Sequence, residues 1–333
     1  MKHFVCVCLG VALLAACRKD DVVVCDPAVA PATFADLRAA APAIQTFAFD
    51  LNKAQSFRTK GGATLAFNAN VYLLPNRQLA TGQAQLRVRE IYSVPDMVLA
   101  NLPTTAASSR QMLISGGEFD IQVWQGSTRL RMYPGWSSGG AGRQVLTLTS
   151  PVPPAGLDTT PMMLWNQPTA APNVAGTISD SSAWQLQTDS TGRATPVTIT
   201  TTSQSTASYY NASLPLDSLS RWNIDQLWHA YSANGAGQIG VVVPFTSTTT
   251  GTRVYFRPVG YNGLARSYAS SAAPTSWSSY LPYGADVIAI VLQERDGLLY
   301  FGTQRLTTAA GVVVTPTLEA LSAAEIVQRI RQL

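Results

Sequence analysis

Beyond residue 25 the sequence contains no cysteine: Cys6, Cys8, Cys17 and Cys25 all fall at the start of a chain of 333 residues. Disulfides therefore cannot hold the body of the chain, and its stability has to come from a buried core. Histidine is almost as scarce. His3 and His229 are the only two, which excludes a centre that needs paired imidazoles, and no metal site is expected. Charged residues make up only 13%, and the 23 basic and 19 acidic side chains are scattered singly. The net charge of +4 thus lacks the basic stripe of a nucleic-acid binder, and no nucleic acid is expected as a partner. No run of about 18 or more apolar residues follows the N-terminus, so no spanning helix is expected. A nucleophile elbow and a Cys–His pair are also missing, which leaves hydrolytic chemistry without a foothold. No catalytic residue and no cofactor is assigned, and the chain reads as a non-enzyme. What it does have is 46% hydrophobic residues, too many for a disordered chain.

The N-terminus carries the strongest local signal. Met1-Lys2-His3 gives a positive start, and residues 4–16 form an apolar stretch of signal-peptide length that ends in small residues. Leu14-Ala15-Ala16-Cys17 resembles the lipobox of bacterial lipoproteins, in which the cysteine thiol receives lipid before cleavage. The resemblance implies a leader over residues 1–16 and lipid attachment at Cys17, whose acyl chains, palmitate among them, would each contribute about 0.8 kcal/mol per buried methylene. Arg18-Lys19-Asp20-Asp21 resembles the charged tag that sends Bacteroidota lipoproteins to the outer face of the outer membrane. The expected partner is accordingly a membrane reached through an N-terminal lipid, with the protein facing the cell exterior. Residues 17–46, rich in Ala, Pro and Val, read as anchor and tether, with a short helix over residues 33–40 capped by Thr33.

From residue 47 the pattern changes to period two, the signature of strands with one buried face. Ala84-Gln85-Leu86-Arg87-Val88-Arg89 alternates strictly, as does Phe119-Asp120-Ile121-Gln122-Val123-Trp124. Gln125-Gly126-Ser127 then turns the chain into a hairpin partner containing Arg129 and Arg131. Residues 239–245, 254–256 and 287–292 are buried-strand candidates, and Asp296-Gly297 marks a tight turn into another strand. Ser322-Ala323-Ala324-Glu325 matches a capping box ahead of apolar residues at helical spacing. No helical crossovers separate the strands, so the expected fold is all-β: two β-sandwich-like domains with a short C-terminal helix. Proline-rich residues 151–154 suggest a division into a sandwich over residues 47–150 and a β-rich domain with the terminal helix over 151–333.

Three places invite a functional reading. Trp222, Asn223, Asp225, Trp228 and His229 form the densest polar–aromatic cluster, a pattern suited to glycan capture, because sugar C–H faces stack on indoles while hydroxyls need paired hydrogen bonds. A core aromatic cluster is the plainer account. Glu90 falls on the apolar phase of its strand after Leu86 and Val88, so it is the candidate acid of a carboxylate-dependent hydrolase, unless a bulge after Arg89 turns it outward, which is the simpler reading. Glu118 and Asp120 share a strand face, and cross-strand pairing with Arg129 and Arg131 explains them more simply than a glycosidase pair. Gly235-Ala236-Gly237-Gln238-Ile239-Gly240 matches the dinucleotide fingerprint in letters, but a strand follows it instead of a helix, and it reads as a hairpin turn.

Several segments resemble those of a group of uncharacterised Bacteroidota cell-surface lipoproteins. They are Lys60-Gly61-Gly62-Ala63-Thr64-Leu65, Thr81-Gly82-Gln83 leading into Val88-Arg89-Glu90, and Asp96-Met97-Val98-Leu99. To these add Leu113-Ile114-Ser115-Gly116-Gly117-Glu118-Phe119 and Trp222-Asn223-Ile224-Asp225. The resemblance implies a ZU5-like β-sandwich in the first half and brings no enzymatic activity with it. That group usually has a cysteine where this chain has Ile224, which argues against a thiol-based role. Asp158-Thr159-Thr160, Asp189-Ser190-Thr191 and Asp217-Ser218-Leu219 resemble the short O-glycosylation motif of exported Bacteroidota proteins. The functional expectation is a non-catalytic surface lipoprotein serving adhesion, scaffolding or ligand capture, with glycan or envelope proteins as partners.

Overall fold

Strand alternation and turn chemistry organise a computed structural model that describes residues 29–132, 146–153, 161–167, 183–188, 192–201, 208–214, 221–244, 251–270 and 273–333. The fold is all-β, with helices confined to short segments. One sheet of the first sandwich has the order β1 (Gln45–Asp50), β5 (Gln83–Ile91), β6 (Leu113–Gln125), β14 (Arg221–Leu227), β10 (Met163–Gln167), β11 (Gln185–Leu186), and β7 (Thr128–Arg129) pairs with β6. The facing sheet runs β12 (Thr198–Thr201), β13 (Ser208–Leu214), β9 (Leu146–Pro151), β3 (Thr64–Phe67), β2 (Gln55–Arg58). A small ribbon pairs β4 (Tyr72–Leu73) with β8 (Arg131–Met132). Phe49, Leu65, Leu86, Phe119, Leu148 and Ile224 point inward and fill the space between the two sheets.

The second sandwich opposes β18 (Tyr268–Ala269), β19 (Ser276–Pro282), β15 (Ala236–Val242), β22 (Val313–Val314) to β17 (Ala265–Arg266), β16 (Thr252–Pro258), β20 (Asp286–Arg295), β21 (Leu298–Thr307), β23 (Glu319–Leu321). Ile239, Val241, Val254, Phe256, Ala289 and Val291 form its core. The outer face of the second of these sheets is covered as well. Tyr255, Ile290, Leu292, Leu299 and Phe301 lie under helices α1 (Phe34–Ala39), α2 (Val94–Ala100) and α4 (Ala323–Arg331), which contribute Leu37, Met97, Val98, Ile326 and Ile330. Burial on both faces is why Val287-Ile288-Ala289-Ile290-Val291-Leu292 runs apolar without alternation. A fourth helix, α3 (Ala230–Asn234), leads into β15.

The helix ends follow local chemistry. Thr33 and Asp36 form a capping box on α1, and Ser322 and Glu325 form one on α4. Ser93 caps α2, with Pro95 in its first turn, and Asn101 closes it at φ 54°. Arg331 pairs with Asp96 and donates to the carbonyl of Ala40 at 3.1 Å, tying α4 to α2 and to the end of α1. The hairpin expected at Asp296-Gly297 joins β20 to β21, with both turn residues at positive φ (54° and 76°).

Three expectations need correction. The division near residue 151 falls inside the first sandwich, because β9 pairs with β3 and β13, and β14 pairs with β6, so that sandwich draws strands from as far as Leu227. The segment assigned to a tether docks in part. Ala32 donates its N–H to the carbonyl of Gly297 at 3.0 Å, Phe34 and Leu37 are buried, and Gln45 already belongs to β1. Finally, residues 236–242 form a strand preceded by a helix, the reverse of the dinucleotide order, and only Gly235 sits at a turn. Cys17, Cys25 and the three glycosylation-like triplets lie outside the described residues.

The helix layer makes a quantitative prediction. Ile330→Ala, which empties a fully buried site, should lower unfolding free energy by roughly 2–5 kcal/mol in urea titration. Arg331→Ala, which removes a half-exposed ion pair, should cost less than about 1 kcal/mol.

Candidate functional site

Three residues of the quoted motifs, Gly61, Glu90 and Gly117, meet at one end of the first sandwich, whereas Thr81-Gly82-Gln83 lies at the other end of β5 and Met97, Val98 and Leu99 belong to the helix layer. β5 keeps its alternation to the end: Glu90 pairs in register with Phe119, the expected bulge is absent, and the side chain points inward, only 6% exposed. Its carboxylate accepts hydrogen bonds from Thr59 Oγ1 at 2.5 Å, Gln45 Nε2 at 2.8 Å, the Gly61 amide at 2.9 Å and the Tyr92 hydroxyl at 3.0 Å. These donors, brought by the β2–β3 turn, by β1 and by the residue just beyond β5, replace the water that burial removes.

Gly61 belongs to that turn because a Cβ there would lie 2.6 Å from Tyr92 Cε2 and 2.9 Å from each Glu90 oxygen. On the other side of the ring, Gly117 adopts φ 144°, and its Cβ would lie 2.8 Å from Tyr92 Cε1. One glycine from each motif pair, Gly61 and Gly117, thus makes room for one aromatic ring. Burial and the neighbouring Glu90 charge push the Tyr92 phenol well up. Asn262, from the second sandwich, donates to the carbonyls of Tyr92 at 3.1 Å and Ser115 at 2.7 Å, fastening the sandwiches together.

On the opposite face of the same sheet, the pairing of β6 with β14 shifts register. Ser115 pairs with Asp225 and Glu118 with Asn223, so that Gly116 and Gly117 oppose the single residue Ile224. The bulge gathers Ser115, Glu118, Asn223 and Asp225. Asn223 Nδ2 donates to Asp225 Oδ2, and Ser115 Oγ donates to Asn223 Oδ1 at 2.8 Å. Trp165, the cross-strand neighbour of Asn223, donates its indole N–H to the Asp225 carbonyl at 3.0 Å and packs with Trp184, closing this end of the face. Glu118 and Asp225 are 1% and 0% exposed, and both Glu118 oxygens and Asp225 Oδ1 lack a hydrogen-bond partner among the described residues. Burial, followed by the Asp225 charge, raises the Glu118 carboxyl well above its ordinary value, with Arg221 opposing. Burial raises Asp225 too, although Ser115 and Asn223 hold it lower than burial alone would.

Glu118 is therefore not the solvent-facing partner of Arg129 and Arg131. Asp120 takes that role, its Oδ2 lying 3.7 Å from Arg221 Nε, and Arg129 senses its charge, while Arg131 sits on β8 paired with β4. Glu90 and Glu118 point to opposite faces of the sheet, so they do not form an acid–base pair. The proposed glycan cluster also separates. Trp222 is 2% exposed in the core of the first sandwich, whereas Trp228 is 4% exposed in the core of the second, beside Tyr231 and Tyr261. Strand alternation turns Trp222 inward and Asn223 outward, and β14 ends at Leu227, so Trp228 leaves for the other sandwich. His229 is exposed, its ring 6.5 Å from that of Tyr261.

Among the described residues, no group of three or more His, Cys, Asp or Glu side chains is placed to hold a metal ion. An open hollow of about 500 Å³ beside Gln55, Ser56, Phe67 and Thr147 on the facing sheet has no titratable side chain in its lining. Among the described residues, no helix is long and apolar enough to cross a membrane. No family model matches the chain, and no curated protein matches it. The polar row on the open part of the first sheet's outer face was passed over in the sequence, although Arg87, Arg89, Asp120, Gln122 and Trp124 are simply the alternate residues of its two clearest strands.

The buried acids predict an unusual pH dependence. A carboxyl whose folded-state pKa is raised binds more protons in the folded state than in the unfolded one, so stability falls as pH rises from the unfolded value toward the folded one. Wild-type unfolding free energy should therefore decline between about pH 5 and pH 8, and Glu118→Gln should remove much of that decline and be the more stable protein at the upper end. A wild-type profile as flat as the variant's would show that Glu118 does not ionise within this window.

Proposed function

We propose that the chain is a non-catalytic lipoprotein of a bacterial outer membrane, anchored through Cys17 and facing the exterior, whose paired sandwiches serve adhesion, scaffolding or ligand capture. The non-catalytic part rests on one observation. Each carboxylate of this end of the sandwich is withdrawn from substrate: Glu90 is engaged by four donors, while Glu118 and Asp225 are buried at the β6–β14 bulge. The anchor rests on Leu14-Ala15-Ala16-Cys17 behind its apolar stretch. The charged Arg18-Lys19-Asp20-Asp21 behind it supports an outward destination. Similarity to the Bacteroidota surface lipoproteins adds weight, since Gly61, Glu90, Gly117 and Asn223, which carry it, are the residues that build the junction.

Metabolic labelling with a clickable fatty acid, combined with protease shaving of intact cells, tests the reading. Wild type should carry label and be cleaved from outside, and Cys17→Ala should carry none. An unlabelled wild type would overturn the anchor, and a labelled but protease-resistant one would overturn the exterior location.

A further inference from the structure

Past the sealed end, the outer face of the first sheet opens to solvent and carries a connected polar array around an indole. Trp124 is the one tryptophan among the described residues that is not buried. Its ring lies under the Arg87 guanidinium, 4.9 Å from the ring centroid, and its Nε1 donates to Gln122 Oε1 at 3.0 Å. Gln122 Nε2 donates in turn to Asp120 Oδ1 at 2.9 Å, and the other Asp120 oxygen faces Arg221, whose Nη1 donates to Gln167 Oε1 at 2.8 Å.

The charge on this face is one-sided. Arg89 and Arg221 flank Asp120 across the sheet, and Arg87 lies two residues before Arg89 on the same face, so that among the described residues three guanidiniums gather near the Asp120 carboxylate. These arginines are half-buried, and burial pulls Arg89 below the ordinary arginine range, with the Asp120 charge opposing and the Arg221 charge adding to the shift. A sheet face with a half-exposed indole suits the C–H face of a pyranose ring, and the Gln122 amide beside it suits a neighbouring hydroxyl. The excess guanidinium charge suits planar carboxylates, which arginine recognises through paired N–H donors.

We infer that this face captures an acidic polysaccharide, with Trp124 as the stacking surface and Arg89 and Arg221 recognising sugar carboxylates. The inference deepens the ligand-capture part of the proposed function and does not depend on the lipid, so Cys17→Ala should bind saccharide as wild type does even if labelling fails.

Affinity electrophoresis of the purified full chain in gels containing polygalacturonate, neutral dextran or dextran sulfate tests it. Polygalacturonate should retard the wild type and dextran should not. Trp124→Ala and Arg89→Gln should each weaken retardation on the order of tenfold, as loss of a central contact does, and Trp124→Phe should retain most of it. Both side chains lie outside the cores, so the variants should unfold near the wild-type urea midpoint. If Trp124→Ala fails to fold, Arg89→Gln decides. Absence of retardation by polygalacturonate, retardation unchanged in Arg89→Gln, or equal retardation by dextran sulfate that ignores Trp124→Ala would each overturn the inference, the last because charge alone would then account for binding.

Discussion

The saturated carboxylate of Glu90 is the interaction on which the end of the first sandwich depends. A carboxylate removed from water without donors is destabilising by several kcal/mol. Here Gln45 comes from β1, Thr59 and Gly61 from the turn opposite, and Tyr92 from just beyond β5, so one acceptor fastens the edges of two sheets. Tyr92 fits only because Gly61 and Gly117 lack side chains, and its backbone carbonyl then receives Asn262 from the second sandwich. Removing any one of these residues loosens the others, because each fills the space or satisfies the polar atom that its neighbour leaves.

Glu118 shows the opposite fate of the same side chain in the same sheet. It is as deeply buried as Glu90, yet no donor among the described residues reaches it, and a second acid, Asp225, lies near enough to raise it further. The difference is topological. Glu90 faces the turn of a facing sheet, which offers a hydroxyl and an amide donor, whereas Glu118 points to the outer face of its sheet, in line with Ile91, Asn223 and Trp165. Where a strand points its carboxylate decides whether burial is offset by hydrogen bonds or by retention of a proton.

Much of this fold was legible from local pattern. Period two gave the strands, Asp296-Gly297 the hairpin, and Thr33 and Ser322 two helix caps, because each depends on neighbours in sequence. The third cap, Ser93-Val94-Pro95-Asp96, was equally local and went unread because α2 is a helix of only seven residues, too short to show a 3.6 period. Non-local pairing was a different matter. Nothing in the period of residues 221–227 says that they join β6 instead of the strands that follow, so the domain division fell too early. The same limit governs Glu90. Its phase pointed inward correctly, but three of the donors that make burial tolerable are 45, 31 and 29 residues away, and without them an outward bulge was the cheaper assumption. The motif segments could be recognised one by one, while the meeting of Gly61, Glu90 and Gly117 around Tyr92 required the fold.

The outer face of the first sheet joins these themes, because along it the polar residues pass from sealed to open. At the β6–β14 bulge burial leaves acids with raised pKa values; toward Trp124 the same strands present half-exposed arginines beside an aspartate. Like charges gathered on a sheet oppose folding, and a face selected for solubility alone would intersperse both signs, as the rest of this sparsely charged chain does. The inner faces of the same strands, with Leu86, Val88, Phe119, Ile121 and Val123 in one core, supply the stability that lets such a face persist. Concentrating guanidiniums beside an accessible indole, on the rigid side of a sandwich whose core tolerates the repulsion, makes sense where an anion arrives to balance them. A sheet face holds that arrangement in fixed geometry without needing a loop to close over the ligand.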